Sequence, residues 1–511
     1  MALALTAGGC PERRAEAPAT IGSASVGEAT ATAPPKVDPL PQERLDLILT
    51  SEEPDSPWQM AVAAAQTAHP EATVERFDPE RLDALTGQLR RSTPRYLMLV
   101  MPPNRIDVNF AWRLLDALSC VDDDPFVDVC YGVITGATPE DAAALVERGR
   151  VAREKPPEPR LLDNLGPNTM LSGSEVQAGA FWRTDWLDGR LVCDGISHGM
   201  AGFPDAELPR FSSYGYLHFG GHGHPDRVDD GITAQQVAGL SLSPCVVFNG
   251  ACSTGVTSRA FQPASDGTWV EVPYLARQLF CLEMLKQPVI AYLAAIHPDH
   301  GVPVYQEMEY LFTTGGTLGE VMKHTYDQVV MGNGGGRLNV VRVVSGQPLP
   351  FSEPSELMLY GTAARLLFGD PTLRVTPKLH EPPLAAEVAD IPDGTVRVTL
   401  RVEDPEIPFS LMDTFHCDLA AQTMGFNDRL YATVPWGVRA GPTAASVEAV
   451  VGAETARTRL VGQAVEEIGG QRLLHVQVDV ESTGYQQGPI RTAGASVTVM
   501  MAPPGTTPSG P

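Results

Sequence analysis

Cysteine is sparse and scattered in this chain. Cys10, Cys120, Cys130, Cys193, Cys245, Cys252, Cys281 and Cys417 are spread over 511 residues, with no Cys-x-x-Cys pair among them. That spacing argues against the common structural zinc sites, and the scatter argues against a dense disulfide framework. Positive charge is also scarce. There are 37 Lys and Arg against 62 Asp and Glu, a formal net charge of −25. A surface this acidic cannot neutralise phosphates at useful density, so a nucleic-acid partner is not expected. No uninterrupted apolar run is long enough for a membrane-spanning helix. What the chain does have is 43% hydrophobic residues, enough for two or three domains with sizeable cores.

The first ten residues, MALALTAGGC, form a short apolar stretch, then small residues, then Cys10. The pattern resembles the lipobox of bacterial lipoprotein signals, in which Cys10 would become the lipidated first residue. It departs from that pattern in lacking a basic leader, in its short apolar part and in Ala7 where Leu is preferred. A start upstream of Met1 would account for all three. Residues 11–42 are rich in Ala, Pro, Thr, Ser and Glu. They cannot bury enough surface to offset their ordering entropy and read as a disordered linker. Behind a lipid anchor they would tether an extracytoplasmic enzyme to a membrane, or the protein would be secreted.

From residue 43 apolar runs alternate with helical patterns. Leu45–Leu49, Val74–Phe77 and Tyr96–Met101 read as strands. Trp58–Ala68, Arg81–Arg90 and Phe110–Leu118 read as helices. Such alternation predicts a mostly parallel sheet with crossover helices. Thr138-Pro-Glu-Asp141 predicts a capped helix start. Asp122, Asp123, Asp124 and Asp128 offer carboxylates for calcium. They lack the ligand spacing of an EF-hand loop, so a solvated acidic loop is the expected reading. Trp182, Trp186 and Cys193 are expected in the core.

The stretch 214–255 carries the chemistry. Tyr216–Phe219 is an apolar run ending in Gly-Gly-His222-Gly. Cys245–Phe248 is another, ending in Asn-Gly-Ala-Cys252. Ligands of open α/β sheets sit beyond the carboxyl ends of the strands. If these two strands are neighbours, His222 and Cys252 meet at that edge, and the imidazole assists formation of the thiolate nucleophile. The backbone N–H groups of Gly223 and Cys252 are then placed to form an oxyanion hole. His198, in Ser-His-Gly, is a decoy, because the strand carrying His222 would intervene before Cys252. His224 is a minor alternative base.

With these residues on the page, the chain resembles the caspase–gingipain–legumain superfamily of cysteine peptidases, and within it the gingipain family. Gly-His222-Gly and Ala-Cys252-Ser-Thr-Gly carry the resemblance, joined by Leu367-Phe-Gly-Asp-Pro-Thr-Leu373. It covers roughly residues 43–378. It implies a caspase-like α/β fold, with His222 as general base, Cys252 as nucleophile and endopeptidase activity on protein or peptide substrates. The family prefers Arg or Lys before the cleaved bond, through an acidic pocket. Asp226, Asp229 and Asp230 lie in a loop able to contribute, although a solvated acidic turn is the plainer reading. The family can bind calcium; nothing in this sequence supports it, and no cofactor is expected.

Further on, Tyr274–Lys286 reads as an amphipathic helix, Pro288–Leu293 as a strand, and Pro303–Phe312 and Thr317–Met331 as helices. His297 and His300 follow the strand and could face substrate. Gly332–Arg337 reads as a flexible loop, lacking the Lys-Ser/Thr of a phosphate loop. After residue 378 the period changes to two, in Thr395–Val402, Leu474–Val480 and Ala495–Met500. The expected organisation is a signal at 1–10, a linker at 11–42, and a catalytic domain at 43–378. Within that domain, 43–213 form the N-terminal part and 214–378 carry the dyad. An immunoglobulin-like β-sandwich at 379–502 and a disordered tail at 503–511 follow. Two other readings stand beside the peptidase: an inactive member serving as a surface-binding scaffold, and a related hydrolase or transpeptidase acting on another substrate.

Overall fold

The structure is a computed structural model. It describes residues 40–165, 180–185, 192–197, 208–209, 211–212, 214–220, 223–228, 232–263, 269–299, 302–336, 360–379, 381–382, 384–403, 413–414, 427–441, 444–451, 457–468, 470–481 and 493–502.

In chain order the first elements are β1 (Leu47–Thr50), α1 (Gln59–Ala68), β2 (Thr73–Arg76), α2 (Leu82–Ser92), β3 (Tyr96–Val100), α3 (Val108–Leu118), β4 (Cys130–Ile134) and α4 (Pro139–Glu154). Then come β5 (Arg160–Leu165), β6 (Ala180–Asp185), β7 (Val192–Ser197), β8 (Tyr216–Phe219), β9 (Gly223–His224), β10 (Arg227–Val228), α5 (Ala234–Ala238) and β11 (Cys245–Asn249). The hairpin β12 (Arg259–Pro263) and β13 (Trp269–Pro273) precedes α6 (Phe280–Lys286), β14 (Val289–Ala295), α7 (Val302–Thr314), α8 (Leu318–Gly332) and β15 (Arg365–Phe368).

Eleven strands form one sheet, in the order β2-β1-β3-β4-β15-β14-β11-β8-β5-β6-β7. Strands β1 to β4 pair in parallel with one another, as do β5, β8, β11 and β14. β15 runs antiparallel to β14 and meets β4 through Phe368 opposite Val133. Every residue of β3, β8, β11 and β14 is buried, as continuous apolar runs under flanking helices require. The expected cap of α4 is a full capping box: Thr138 Oγ1 accepts from Asp141 N–H, and the Asp141 carboxylate accepts from Thr138 N–H.

The motif Leu367–Leu373 has a structural explanation. Asp370 is buried, accepts from Arg153 at 2.7 Å and lies 3.0 Å from His69 Nε2. It thereby ties the end of β15 to α4 and to the end of α1. Burial opposes its charge, yet His69 and Arg153 hold its carboxyl well below the ordinary range. A Cβ at Gly132 of β4 would lie 2.3 Å from the Gly369 carbonyl oxygen, so glycine is needed where the two strands meet.

The chain continues into β16 (Leu384–Asp390), β17 (Val396–Val402), β18 (Asp413–Thr414), β19 (Asn427–Pro435), β20 (Ala444–Val451), β21 (Arg457–Ile468), β22 (Gln471–Glu481) and β23 (Ser496–Ala502). They make two antiparallel four-stranded sheets, β16-β17-β23-β20 and β18-β19-β22-β21. Val398, Leu400, Val497 and Val499 from one sheet share a core with Leu430, Val434, Val476 and Val478 from the other. Period-two alternation places them there.

Three expectations change. The predicted helix at Tyr274–Lys286 begins only at Phe280, after a 3-10 turn at Ala276–Gln278. Its first five helical residues after Phe280 are all buried too, so it is a core helix and not an amphipathic one. The glycine-rich segment after Gly332 is a helix end pressed against the sandwich. Gly334 and Gly335 have φ of +72° and +78°, and a Cβ on Gly462 of β21 would lie 2.9 Å from Met331 O. The acidic loop is half-buried, and Asp124 accepts from the Glu467 N–H of the sandwich at 3.1 Å. Trp186 lies outside the described residues, as do the side chains of Trp182 and Cys193.

Candidate active site

β8 and β11 are adjacent and parallel, with Phe219 opposite Asn249. His222 and Cys252 each follow three residues beyond that pair. His222 itself lies outside the described residues, but the next residue does not. A Cβ on Gly223 would stand 2.3 Å from the Cys252 carbonyl oxygen and 2.7 Å from the Cys252 nitrogen. Gly223 therefore rests directly on the peptide of Cys252, an approach only glycine allows. β7, which precedes His198, lies at the far edge of the sheet, with β8, β5 and β6 between it and β11.

The loop after β11 is fixed from within. Asn249 Oδ1 accepts from Ala251 N–H at 2.9 Å, and its Nδ2 donates to Tyr292 OH at 3.0 Å. Tyr292 OH donates to Thr254 O at 3.0 Å, and Thr254 Oγ1 donates to Ala251 O at 2.8 Å. Gly255 N–H donates to Ala295 O of β14 at 2.8 Å. Ser253 has φ +58°, an uncommon conformation for a side chain other than glycine, and one that turns the chain sharply just past Cys252. Cys252 is partly exposed at that turn. Among the other described cysteines, Cys130, Cys245 and Cys281 are buried. Burial pushes the thiols of Cys130 and Cys245 up to about 12, which makes them inert.

Sequence reasoning missed the groups behind the thiol. Cys252 Sγ–H donates to the main-chain carbonyl of Asp299 at 2.7 Å. The Asp299 carboxylate accepts from Arg365 at 2.8 Å, and Arg365 also clasps Glu307 through two bonds of 2.6 and 2.8 Å. A fourth bond runs from Arg365 to Asn249 O at 3.1 Å. All three ionised side chains are fully buried. Burial opposes the Arg365 charge, but Glu307 and Asp299 more than offset it and its pKa is raised. The one available signal was an arginine opening an otherwise apolar strand, Arg365-Leu-Leu-Phe368.

Comparison with known proteins adds likenesses of fold. The chain is similar to a complex of the pro- and mature domains of RgpB from Porphyromonas gingivalis, at 13% identity and a TM-score of 0.40. That match covers 70% of this chain and 86% of the other. A crystal structure of the Arg-specific cysteine proteinase gingipain R matches at 13% identity and a TM-score of 0.40, over 71% and 86% of the two chains. A third structure, described as a protease, matches at 10% identity and the same TM-score, over 71% and 85%. No protein-family profile matches the chain. No curated protein matches it either.

The remaining predicted residues fall as follows. Cys10, His198, Asp229, Asp230 and His300 lie outside the described residues. Asp226 is half-exposed, and its carboxylate pairs with Arg227 at 3.1 Å. His224 is on β9, opposite Arg227 of β10. His297 does not face substrate: it is buried against Trp112, with ring centroids 5.2 Å apart. Burial pushes its pKa down to about 4, so it is neutral at physiological pH.

Two carboxylate clusters among the described residues are compact enough to hold a cation. In Asp327, Glu466 and His475 the positive charge is already supplied. Lys323 Nζ lies 2.9 Å from Asp327 and 2.5 Å from Glu466, joining α8 to β21. Burial opposes the Glu466 charge, yet His475 and Lys323 hold its carboxyl down to about 2. The second cluster is Asp122, Asp124 and Asp128. Its carboxylates already accept from the backbone N–H groups of Asp124, Phe126 and Glu467. Burial and the two neighbouring acids raise Asp128 to about 8.

Proposed function

We propose that the chain is a cysteine endopeptidase that hydrolyses protein or peptide substrates through Cys252 and His222. The observation that carries the reading is the seating of Gly223 on the Cys252 peptide. It supports a reading in which the residue before Gly223 and the thiol share one strand edge. Cys252 Sγ attacks the scissile carbonyl carbon, and its proton passes to the His222 imidazole. The negative charge gathers on the carbonyl oxygen, where the N–H groups of Gly223 and Cys252 stabilise it. The C–N bond breaks as His222 returns the proton to the leaving amine. Water, deprotonated by His222, then hydrolyses the thioester and frees Cys252.

In this reading Asp226, Asp229 and Asp230 border the substrate, and a basic residue before the cleaved bond is the first to test. The test is a peptide panel varied at that residue, with native protein, Cys252→Ala and His222→Ala, each with any propeptide removed. Cleavage by the folded native protein and loss in both variants supports the proposal. No cleavage by native protein sinks it and leaves the scaffold reading and that of a hydrolase or transpeptidase acting on another substrate.

The N-terminal pattern supports a lipid-anchored, extracytoplasmic location. Palmitate labelling in a bacterial host should be lost in Cys10→Ser; equal labelling of both excludes an anchor at that residue.

A further inference from the structure

An arginine with no exposed surface is costly to bury. Taking a guanidinium and two carboxylates out of water is strongly unfavourable, and replacing such a group by apolar side chains is often neutral or stabilising. The triad of Arg365, Asp299 and Glu307 therefore calls for a reason beyond stability. Its geometry supplies one.

Arg365 opens β15, opposite Ala295 at the carboxyl end of β14. From there its guanidinium reaches three segments. It bonds the Asn249 carbonyl, where β11 ends and the Cys252 loop begins. It bonds the Asp299 carboxylate in the loop after β14. It grips Glu307 of α7 with both arms of the fork. Its own carbonyl accepts from Tyr326 OH of α8, which in turn lies 2.6 Å from Tyr131 OH of β4. The loop carrying Asp299 is pressed from the other side too. A Cβ on Gly361 would lie 2.5 Å from Pro298 O and 2.7 Å from the Asp299 Cα. Asp299 is thus held at its side chain by charge and at its backbone by contact. The carbonyl so fixed is the one that receives the Cys252 thiol hydrogen.

We infer that Arg365 is a positioning residue for the Cys252 thiol: by clamping Asp299 against Glu307 it holds the Asp299 carbonyl where it fixes the direction of the S–H bond. The arrangement deepens the peptidase reading, and rests on it for the claim that this thiol is the nucleophile. A carbonyl oxygen accepts and cannot donate, so this contact stores Cys252 as a thiol with a defined rotamer.

The test reads the hydrogen bond itself. The S–H stretching band of Cys252 is isolated as the infrared difference between native protein and Cys252→Ala, which cancels the other thiols. The same difference is taken in Asp299→Asn and in Arg365→Lys, each against its own Cys252→Ala partner, with thermal melting as the check of folding. Asp299→Asn is nearly isosteric; Arg365→Lys keeps the charge but loses the fork. The expected result is a red-shifted native band that moves toward the free-thiol position in at least one folded variant. That variant should also show kcat lowered at least several-fold with KM changed less than twofold. An unshifted native band, or a band identical in native protein and every folded variant, overturns the inference. The infrared reading stands whether or not any peptide is cleaved, so loss of the peptidase reading would show separately, as absent turnover.

Discussion

Gly223 leaves no room for a side chain against Cys252: a Cβ there would meet the Cys252 carbonyl oxygen at 2.3 Å. Both neighbours are backbone, so nothing flexible can give way. Gly223→Ala must push the backbone at position 223 off the Cys252 peptide. A displacement of about 1 Å at a reacting group costs on the order of 100-fold in rate. The expected outcome is a loss of that size or more in kcat/KM on the best peptide, measured beside a melting temperature that shows the fold retained.

Asp370 of the Leu-Phe-Gly-Asp-Pro-Thr-Leu stretch should matter for stability and not for the chemistry. Asp370→Asn leaves Arg153 and His69 facing a neutral amide in a buried setting, which costs about 3–5 kcal/mol. Urea unfolding at pH 7 measures it. Its pKa is depressed in the folded state. Its contribution is therefore fully present above the unfolded value near 4 and is lost as pH falls below it. The difference between native protein and variant should shrink under acid.

How much of this was legible in the sequence depended on whether a signal was local. β3, β11 and β14 are unbroken apolar runs, and their strands were predicted within a residue or two. β4 escaped because Gly132 interrupts its run and an acidic loop precedes it. The hairpin of β12 and β13 escaped because it packs largely outside the main sheet. The strands that precede His222 and Cys252 could be paired from the sequence, because short crossovers between apolar runs constrain which strands are neighbours. Asp299 and Arg365 could not. Their pairing depends on β15 entering the middle of the sheet, and no residue of Arg365-Leu-Leu-Phe368 says where it will go. The link from Lys323 to Glu466 was hidden for the same reason, since it joins two separately patterned domains.

Buried His297 should make the protein acid-sensitive. Its pKa falls from 6.5 to about 4 on folding. The unfolded chain then binds the extra proton, so stability is present above pH 6.5 and is lost as pH falls toward 4, by at most about 3 kcal/mol. In His297→Gln that component vanishes. The stability gap between native protein and variant, from denaturant melts at pH 7.5 and pH 4.5, should narrow at the lower pH.

Asp128 works in the opposite direction. Burial and its acidic neighbours raise it to about 8, so the folded state pays to ionise it as pH rises from 4 toward 8. Asp128→Asn should raise the melting temperature, more at pH 8 than at pH 5. An equal shift at both would show that the carboxyl is not the source.

Lys323 bridges Asp327 of α8 and Glu466 of β21. Lys323→Met removes the lysine shared by the buried Asp327 and Glu466 carboxylates, at a cost of about 3–5 kcal/mol. Calorimetry should show the melting of the sandwich separated from that of the larger sheet by a wider temperature gap in the variant than in the native protein. Adding Glu466→Gln should restore part of the lost coupling.

β15 has a consequence for assembly. It lies between β4 and β14, and among the described strands it alone ladders the block β2-β1-β3-β4 to the block that ends in β14. Yet it is the last strand of the sheet to leave the ribosome. Until residues 365–368 emerge, β4 and β14 each present an unpaired edge on a strand that is wholly buried in the finished sheet, a template for pairing with another chain. The guanidinium that clamps Asp299 arrives with the same four residues. Between the emergence of β14 and that of β15 the nascent protein thus carries two sticky edges and an unassembled thiol site, and one short strand closes both.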